Sequence, residues 1–452
     1  MTIRNKKEPL LLFLGDVVLL FAALWIMLLI RYFKIPSAEA LSVHVVPFSI
    51  LIATWLLAFY IGGLYRKHTL FLKNSLPTSI LHIQLSNSII AISFFYFIPY
   101  LRITPKINLF IYLCVSSLLI LTWRMYGHQM LGFRKKEDAF LIGSGEEKEE
   151  LLREVNVNQR YSLVFTTTVD PQKLEDISFR NELIRRIERE KIGTVVLDMQ
   201  NAKVAAALPR FYNLIFKGVR FVDMHNVYED LFDRVPLSIL GYGWFLENIS
   251  NSSSGIIYDA LKRSMDAFLS FVLGTLALPL VPFVFALIKF DDHGPVFIVQ
   301  ERLGKNNKRI NIRKFRTMRV DRGGMFSALE GNYERITRVG GFLRKTRIDE
   351  LPQLWSVFIG DVSLIGPRPE LPDLAALYEK EIPFYNVRHL IKPGLSGWAQ
   401  ILQPAPPKFG IGYDTTKIKL SYDLYYVKHR SFMLDIKIAL RTVRTLLSRS
   451  GL

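Results

Sequence analysis

The chain has a single cysteine, Cys114, in 452 residues. One thiol excludes an intrachain disulfide and any multi-cysteine metal site. Set in an apolar run, it reads as a small buried hydrophobe. None of the 8 histidines falls at a metal-ligating spacing, and His389 and His429 read as structural or surface residues before substrate contacts. A complete glycine fingerprint is missing too: Gly143-Ser144-Gly145 supplies two glycines, but Lys148 stands where the third belongs, so the signal for a dinucleotide is weak. Acid is scarce, with 40 Asp and Glu against 58 Lys and Arg, a formal net charge of +18. That surplus, most of it after Gly255, fits nucleic acid, anionic lipid or a phosphorylated substrate without separating them.

Apolar length is abundant. Hydrophobic residues make up 50% of the chain, which predicts membrane segments. Four runs, at about 10–30, 45–64, 80–100 and 107–123, approach the roughly 20 residues that cross a bilayer as a helix. Arg4, Lys6 and Lys7 precede the first, Arg66, Lys67 and Lys73 separate the second and third, and Arg124, Arg134, Lys135 and Lys136 follow the fourth. The other two loops are poorer in base, so the positive-inside rule predicts both ends of a four-helix unit (1–130) on the cytoplasmic side. The first run is long and lacks a small-residue cleavage site, so it reads as an anchor rather than a cleaved leader.

Residues 137–250 change character. A short strand at 139–142, the glycine turn and an acidic helix to Val155 are followed by β-rich runs at 163–169 and 194–197, with a helical stretch between them. This alternation predicts a Rossmann-like parallel α/β domain. Asp170 lies where a ribose-binding acid would sit, without following cleanly from a second strand. Residues 251–255 read as a linker.

The third part is 256–452, an α+β domain that opens on an apolar stretch, 264–288, with one charge, Asp266. Composition alone favours a fifth span. Lys262-Arg263 and Lys289 put base at both ends, however, and Pro279 and Pro282 break the backbone ladder past its middle. The expectation is a bent, re-entrant helix over about 262–290. Near the C-terminus, 432–448 places Ile436, Leu440, Val443 and Leu447 on one helical face edged by Lys437, Arg441 and Arg444. That suits a helix in the headgroup region or a core helix equally well.

The chemistry concentrates at 344–361. Leu351, Leu354, Trp355 and Phe358 recur at helical spacing and Gly360 supplies a stop. Pro352 is tolerable only in the first turn, which places Asp349-Glu350 at a helix N-terminus with Arg344, Lys345 and Arg347 just upstream. One carboxylate there can attack phosphorus while the other holds magnesium against a diphosphate; the alternative is a helix-capping pair. In Gly366-Pro367-Arg368-Pro369-Glu370, Pro367 and Pro369 stiffen the turn and aim Arg368 as a phosphate ligand. Of nine basic residues between Glu301 and Arg322, Lys314 and Arg316 are selected as phosphate ligands. Residues 393–400 form a tight loop whose Trp398 would close over substrate or sit at the membrane interface.

From Lys262 onward the chain resembles the bacterial sugar transferase family, the monotopic phosphoglycosyl transferases. The resemblance rests on Lys262-Arg263-x-x-Asp266, Gly294-Pro295-Val296-Phe297, Gln300-x-Arg302-x-Gly304 and Lys314-Phe315-Arg316-Thr317-Met318. It continues through Asp349-Glu350-Leu351-Pro352-Gln353, Gly360-Asp361, Gly366-Pro367-Arg368-Pro369, 393–400 and Tyr425-Tyr426-Val427. The helical unit and α/β domain resemble the family's long forms, which start exopolysaccharide, capsule or O-antigen units. The resemblance implies Asp349 as nucleophile, Glu350 as ligand of Mg²⁺, and Pro279 as the re-entrant break, although Leu278 replaces the usual serine before it. It further implies a homodimer acting on a UDP-sugar (glucose or galactose) and undecaprenyl phosphate in membrane lipid, with no nucleic acid. A membrane-anchored nucleotide-sugar dehydratase would need the full glycine fingerprint and a Tyr-x-x-x-Lys pair, which are absent. A non-enzymatic scaffold would release no UMP.

Overall fold

A computed structural model describes residues 7–61, 106–130, 136–158, 163–249, 256–319, 336–403 and 412–447, with isolated positions at 64–65, 161 and between 80 and 92. Two compact units divide near residue 136.

In the first unit, α1 (Lys7–Tyr32), α2 (Ala38–Ile61) and α3 (Lys106–Met130) each contain a stretch long and apolar enough to cross a membrane. The run expected at 80–100 lies largely outside the described residues. Gly15 lets α1 approach α3 closely, because a Cβ there would meet the Trp123 ring at 2.4 Å. Beside it Arg124, fully buried, pairs with buried Asp16, which also accepts from Tyr65 Oη at 2.7 Å. Arg124 is thus an interior ion-pair partner, not the flanking charge that the sequence pattern made it. Cys114 is exposed on α3, correcting its reading as a buried residue; the helix surface is itself apolar, so composition did not reveal the side.

The second unit begins with four parallel strands, β1 (Glu137–Ile142), β2 (Leu163–Val169), β3 (Thr194–Leu197) and β4 (Arg220–Asp223), in the order β2-β1-β3-β4. The helices α4 (Glu146–Val157), α5 (Ile177–Arg189), α6 (Ala202–Phe211) and α7 (Met224–Phe232) alternate with them. β1 and β3 are almost wholly buried, as parallel strands covered on both faces are. Asp170 follows β2 directly and caps the next turn through Gln172 N. The short helix α8 (Tyr242–Asn248) then leads out, and Val235 and Trp244 share a core with Leu303, Tyr378, Tyr385 and Leu424 of the C-terminal part.

That part opens with α9 (Ile256–Ala277) and α10 (Leu280–Asp292), bent by 59° at Leu278-Pro279. The bend forms without a serine hydroxyl: Leu278 N–H still reaches Gly274 O at 3.0 Å, and Pro279 begins the new helix. Next come the antiparallel hairpin β5 (Phe297–Leu303) and β6 (Arg309–Phe315), then α11 (Arg338–Thr346), α12 (Gln353–Ile359) and β7 (Ser363–Ile365). They are followed by α13 (Pro372–Glu381), β8 (Gly394–Ser396), α14 (Trp398–Leu402), α15 (Tyr413–His429) and α16 (Phe432–Leu447).

Polar bolts fix α9 to the rest. Arg263 donates to Val357 O and Phe358 O at the end of α12, where Gly360 N–H also reaches Val357 O, and Gly360 at φ 95 ends that helix. Asp266 accepts from Ser363 Oγ at 2.6 Å and Leu364 N at 3.2 Å. Buried Asp435 of α16 gathers Tyr258, Lys262 and Tyr426. This clamp sets the rotation of α16: Asp435 and Ile438 face inward, Ile436 and Leu440 are half-buried and Val443 is exposed, so the buried face is centred off the stripe drawn through Ile436, Leu440 and Val443. Lys437 and Arg441 lie over the ring of Trp398, at 4.7 and 5.2 Å. Trp398 is itself buried and donates to Asp233 O at 2.8 Å, so it is neither a lid nor an interfacial residue.

Candidate active site

Asp349 and Glu350 occupy a single 3₁₀ turn between α11 and α12. Arg347, at φ 58, ends α11 in the left-handed region and reverses the chain into that turn. Pro352 caps α12, as its missing amide hydrogen requires. The apolar repeat does not coincide with the side of α12 that faces inward. Gln353, Leu354, Ser356 and Val357 are buried, whereas Trp355 is 55% exposed and Phe358 lies 6.1 Å from Phe271 of α9. The aromatics extend the apolar surface of the bent helix instead of filling the core.

The two carboxylates live in different environments. Glu350 Oε1 lies 3.1 Å from Arg368 Nη2, 3.6 Å from Arg347 Nη1 and 3.7 Å from Lys314 Nζ. Burial works to raise its pKa, but Arg368, Lys314 and Arg347 outweigh it and hold the group at about 2. Asp349 goes the other way. Burial, then the Glu350 charge, raises it above the usual carboxylate range against the pull of Lys314, Arg344 and Arg347. Its Oδ1 is buried with no hydrogen-bond partner among the described residues. Lys314, half-buried on β6, is lowered to about 8 by burial and by Arg368, with Glu350 opposing. A small cleft lies here, lined by Arg302, Lys314, Gln353, Arg368 and Gly394.

The Gly-Pro-Arg-Pro turn is built on backbone contact. Gly366 N–H bonds Ser396 O at 2.8 Å and Gly394 N–H bonds Pro367 O at 2.9 Å. A Cβ on Gly394 would meet Gly366 N at 2.1 Å, so only glycine permits the approach. Pro369 O accepts from Arg302 at 3.4 Å and Arg368 O from buried Arg388 at 2.9 Å. Arg388 also pairs with Asp423 at 2.8 Å and Glu370 at 3.3 Å, and Lys419 reaches the same Glu370 oxygen at 2.5 Å. Burial would raise Glu370, yet Lys419 and Arg388 hold it at about 2. The sequence reading missed this network. Only Glu370, next to the Gly-Pro-Arg-Pro motif, carried a signal.

Lys314, Arg368, Asp349 and Glu350 therefore come together, with Pro367 and Pro369 framing the arginine. Arg316 does not join them through any described contact: buried, it bonds Pro295 O and Met318 O and packs on Gly294. His429 pairs with Glu229 at 2.9 Å, a structural contact, and His389 is buried against Tyr385. In the α/β part the glycine turn is a poor phosphate cradle. Glu146, Glu147 and Glu149 fill the first turn of α4, and Glu147 accepts from Ser238 N–H and Oγ–H beside Gly145.

Residues 257–449 match the bacterial sugar transferase family. The chain is 43% identical over 265 residues to a UDP-N-acetylgalactosamine-undecaprenyl-phosphate N-acetylgalactosaminephosphotransferase of Aeromonas hydrophila, covering 58% of this chain and 60% of that protein. It is 30% identical over 326 residues to an undecaprenyl-phosphate glucose phosphotransferase of Komagataeibacter xylinus, covering 69% of this chain and 59% of the relative. The chain thus spans about three-fifths of the length of these two. Against the exopolysaccharide production protein PSS of Rhizobium leguminosarum bv. phaseoli, identity is 40% over 195 residues, 42% of this chain and 96% of the relative. The chain belongs to the bacterial sugar transferase family.

Proposed function

We propose that the chain transfers a hexose 1-phosphate from a UDP-hexose to undecaprenyl phosphate at the cytoplasmic face of a membrane, releasing UMP. The observation that carries the reading is the contrast within the dyad: Asp349 has a buried, unpartnered oxygen, while Glu350 is held ionised by three cations. An unpaired carboxylate raised by burial is the better nucleophile. The names of the relatives support the acceptor and extend the candidate donors to UDP-N-acetylgalactosamine.

Asp349 attacks the sugar-bearing phosphorus of the donor. The phosphoanhydride bond breaks, UMP leaves, and the sugar phosphate is carried on the aspartate. An oxygen of undecaprenyl phosphate then attacks that phosphorus, giving the polyprenyl diphosphate sugar and restoring Asp349. Lys314, Arg302 and Arg368 line the cleft and offset the charge of the diphosphate, which would otherwise repel an anionic nucleophile. The carboxylate donors fit Mg²⁺: Lys314, Arg347 and Arg368 approach Glu350 at Oε1, and Asp349 Oδ1 has no hydrogen-bond partner among the described residues. When bound, the ion would screen the diphosphate.

The test is UMP release from UDP-glucose, UDP-galactose and UDP-N-acetylgalactosamine with undecaprenyl phosphate and Mg²⁺. One donor should turn over, and Asp349→Asn should lose at least about a thousandfold. Full turnover by Asp349→Asn refutes the reading.

A further inference from the structure

The C-terminal edge of the parallel sheet carries acid at the end of three strands: Asp170 after β2, Asp198 after β3, and Asp223 closing β4. In open parallel sheets this edge is where ligands bind, at the point where strand order reverses. Here the reversal lies between β1 and β3, and Asp198 N–H bonds Ile142 O across it at 3.0 Å.

Asp198 and Asp223 converge there on His225, the second residue of α7. His225 Nδ1 is 3.4 Å from Asp223 Oδ1 and 4.0 Å from Asp198 Oδ1. The three potential ligand atoms all lie within 4.8 Å of one another. The cluster is interior: Asp198 is 3% exposed and His225 2%, while the Asp223 side chain is 20% exposed.

Charge balance distinguishes this cluster from several other interior acids. Asp423 has Arg388, Glu370 has Lys419 and Glu229 has Lys428. Asp198 and Asp223 have no Lys or Arg partner among the described residues. Their oxygens accept from the backbone N–H groups of Gln200 at 3.1 Å and Met199 at 3.3 Å, Asp198 also from that of Asn201, and both carboxylates face one imidazole. Two carboxylates against a single imidazole leave buried negative charge uncompensated even with the ring protonated, an arrangement that costs stability unless a cation joins it. In a chain of net charge +18, this is negative charge concentrated where a ligand is expected. The glutamates opening α4 make the same edge hostile to phosphate.

We propose that Asp198, Asp223 and His225 form a binding site for a divalent first-row transition cation, Zn²⁺ or Mn²⁺, separate from the dyad. An imidazole nitrogen with two carboxylate oxygens suits these ions, whereas Mg²⁺ and Ca²⁺ prefer shells made of oxygen alone. Metal–ligand bonds of about 2.1 Å in tetrahedral geometry place ligand atoms about 3.4 Å apart, so the cluster needs only a small contraction.

The test uses the full chain in detergent, stripped with a chelator, re-equilibrated with Zn²⁺ or Mn²⁺ and passed through a desalting column before metal counting. An Asp349→Asn/Glu350→Gln chain removes the dyad's carboxylates and should still retain about one ion. In that background Asp223→Asn and His225→Gln should each weaken binding at least about tenfold. Unchanged binding in both variants, or no retained ion, overturns the site. Pulsed EPR of Mn²⁺ on the unmutated chain decides even where a variant fails to fold. Nitrogen coupling from one imidazole is expected, and its absence refutes the assignment because the dyad offers no imidazole.

Discussion

Lys314 is the residue whose titration should be visible in turnover. It starts from an ordinary value of 10.5, and burial, reinforced by Arg368, lowers it to about 8 despite Glu350. Below pH 8 the ammonium is present in the cleft, and above it the charge that faces the diphosphate is lost. In the free enzyme, kcat/KM should therefore fall about tenfold per pH unit above 8. Stability moves the opposite way. Between pH 8 and 10.5 the unfolded chain binds the proton that the folded chain has released, so the fold gains with rising pH, by up to about 3 kcal/mol from this group. Loss of activity with rising thermal midpoint separates titration from unfolding. Lys314→Arg keeps its charge and should carry the limb to higher pH, at some cost in plateau rate from its different geometry. UMP release measured from pH 6.5 to 9.5, with both proteins, is the assay. A flat wild-type profile refutes the reasoning, as does a limb that stays in place in Lys314→Arg, which would belong to the substrate.

Asp266→Ala should destabilise the second unit by about 3 kcal/mol, since Ser363 Oγ and Leu364 N–H both lose a charged acceptor. Denaturant unfolding in detergent reads this, and a change within error would show that the α9 anchor lies elsewhere. In the membrane unit, Asp16→Leu leaves Arg124 buried without its carboxylate and should cost about 3–5 kcal/mol. The Asp16→Leu/Arg124→Met double variant should recover much of that; a loss equal to the sum of the single variants contradicts a coupled pair.

Local rules exposed the parts of the site governed by local chemistry. Pro352 and Gly360 bracket α12, and Pro279 marks the bend, because each fixes or frees a backbone torsion whatever surrounds it. Helical faces were less legible. The apolar positions Leu351, Leu354, Trp355 and Phe358 marked a helix, yet α12 also turns Gln353 and Ser356 inward and leaves Trp355 exposed. Periodicity identifies an apolar face but not its neighbour, and beside a membrane helix an apolar face need not be buried in protein. The structural partners of Arg316 and Trp398 were hidden for a related reason. A basic or amphipathic side chain advertises binding, while its actual partners, Pro295 O and Asp233 O, are carbonyls that no sequence pattern displays. The Arg388 network was invisible because its partners are brought together only by tertiary packing.

The same geometry explains why two adjacent acids do not compete for one role. Cations that crowd Glu350 Oε1 fix its charge, and a fixed negative charge next door raises the proton affinity of Asp349. Removing Arg368's contact would weaken the first effect and, through it, the second, so the arginine acts on the nucleophile by way of its neighbour as well as on the diphosphate. That dual action depends on where the guanidinium points. Its backbone carbonyl is held by Arg388, and Arg388 is held by Asp423 and Glu370, Arg388 and Asp423 being buried and Glu370 half-buried. The side-chain torsions stay free to turn, but the backbone from which they start cannot shift without breaking buried pairs each costing about 3–5 kcal/mol. The stiffness of Gly-Pro-Arg-Pro is therefore only half of the aiming device, and Arg388 is the other half.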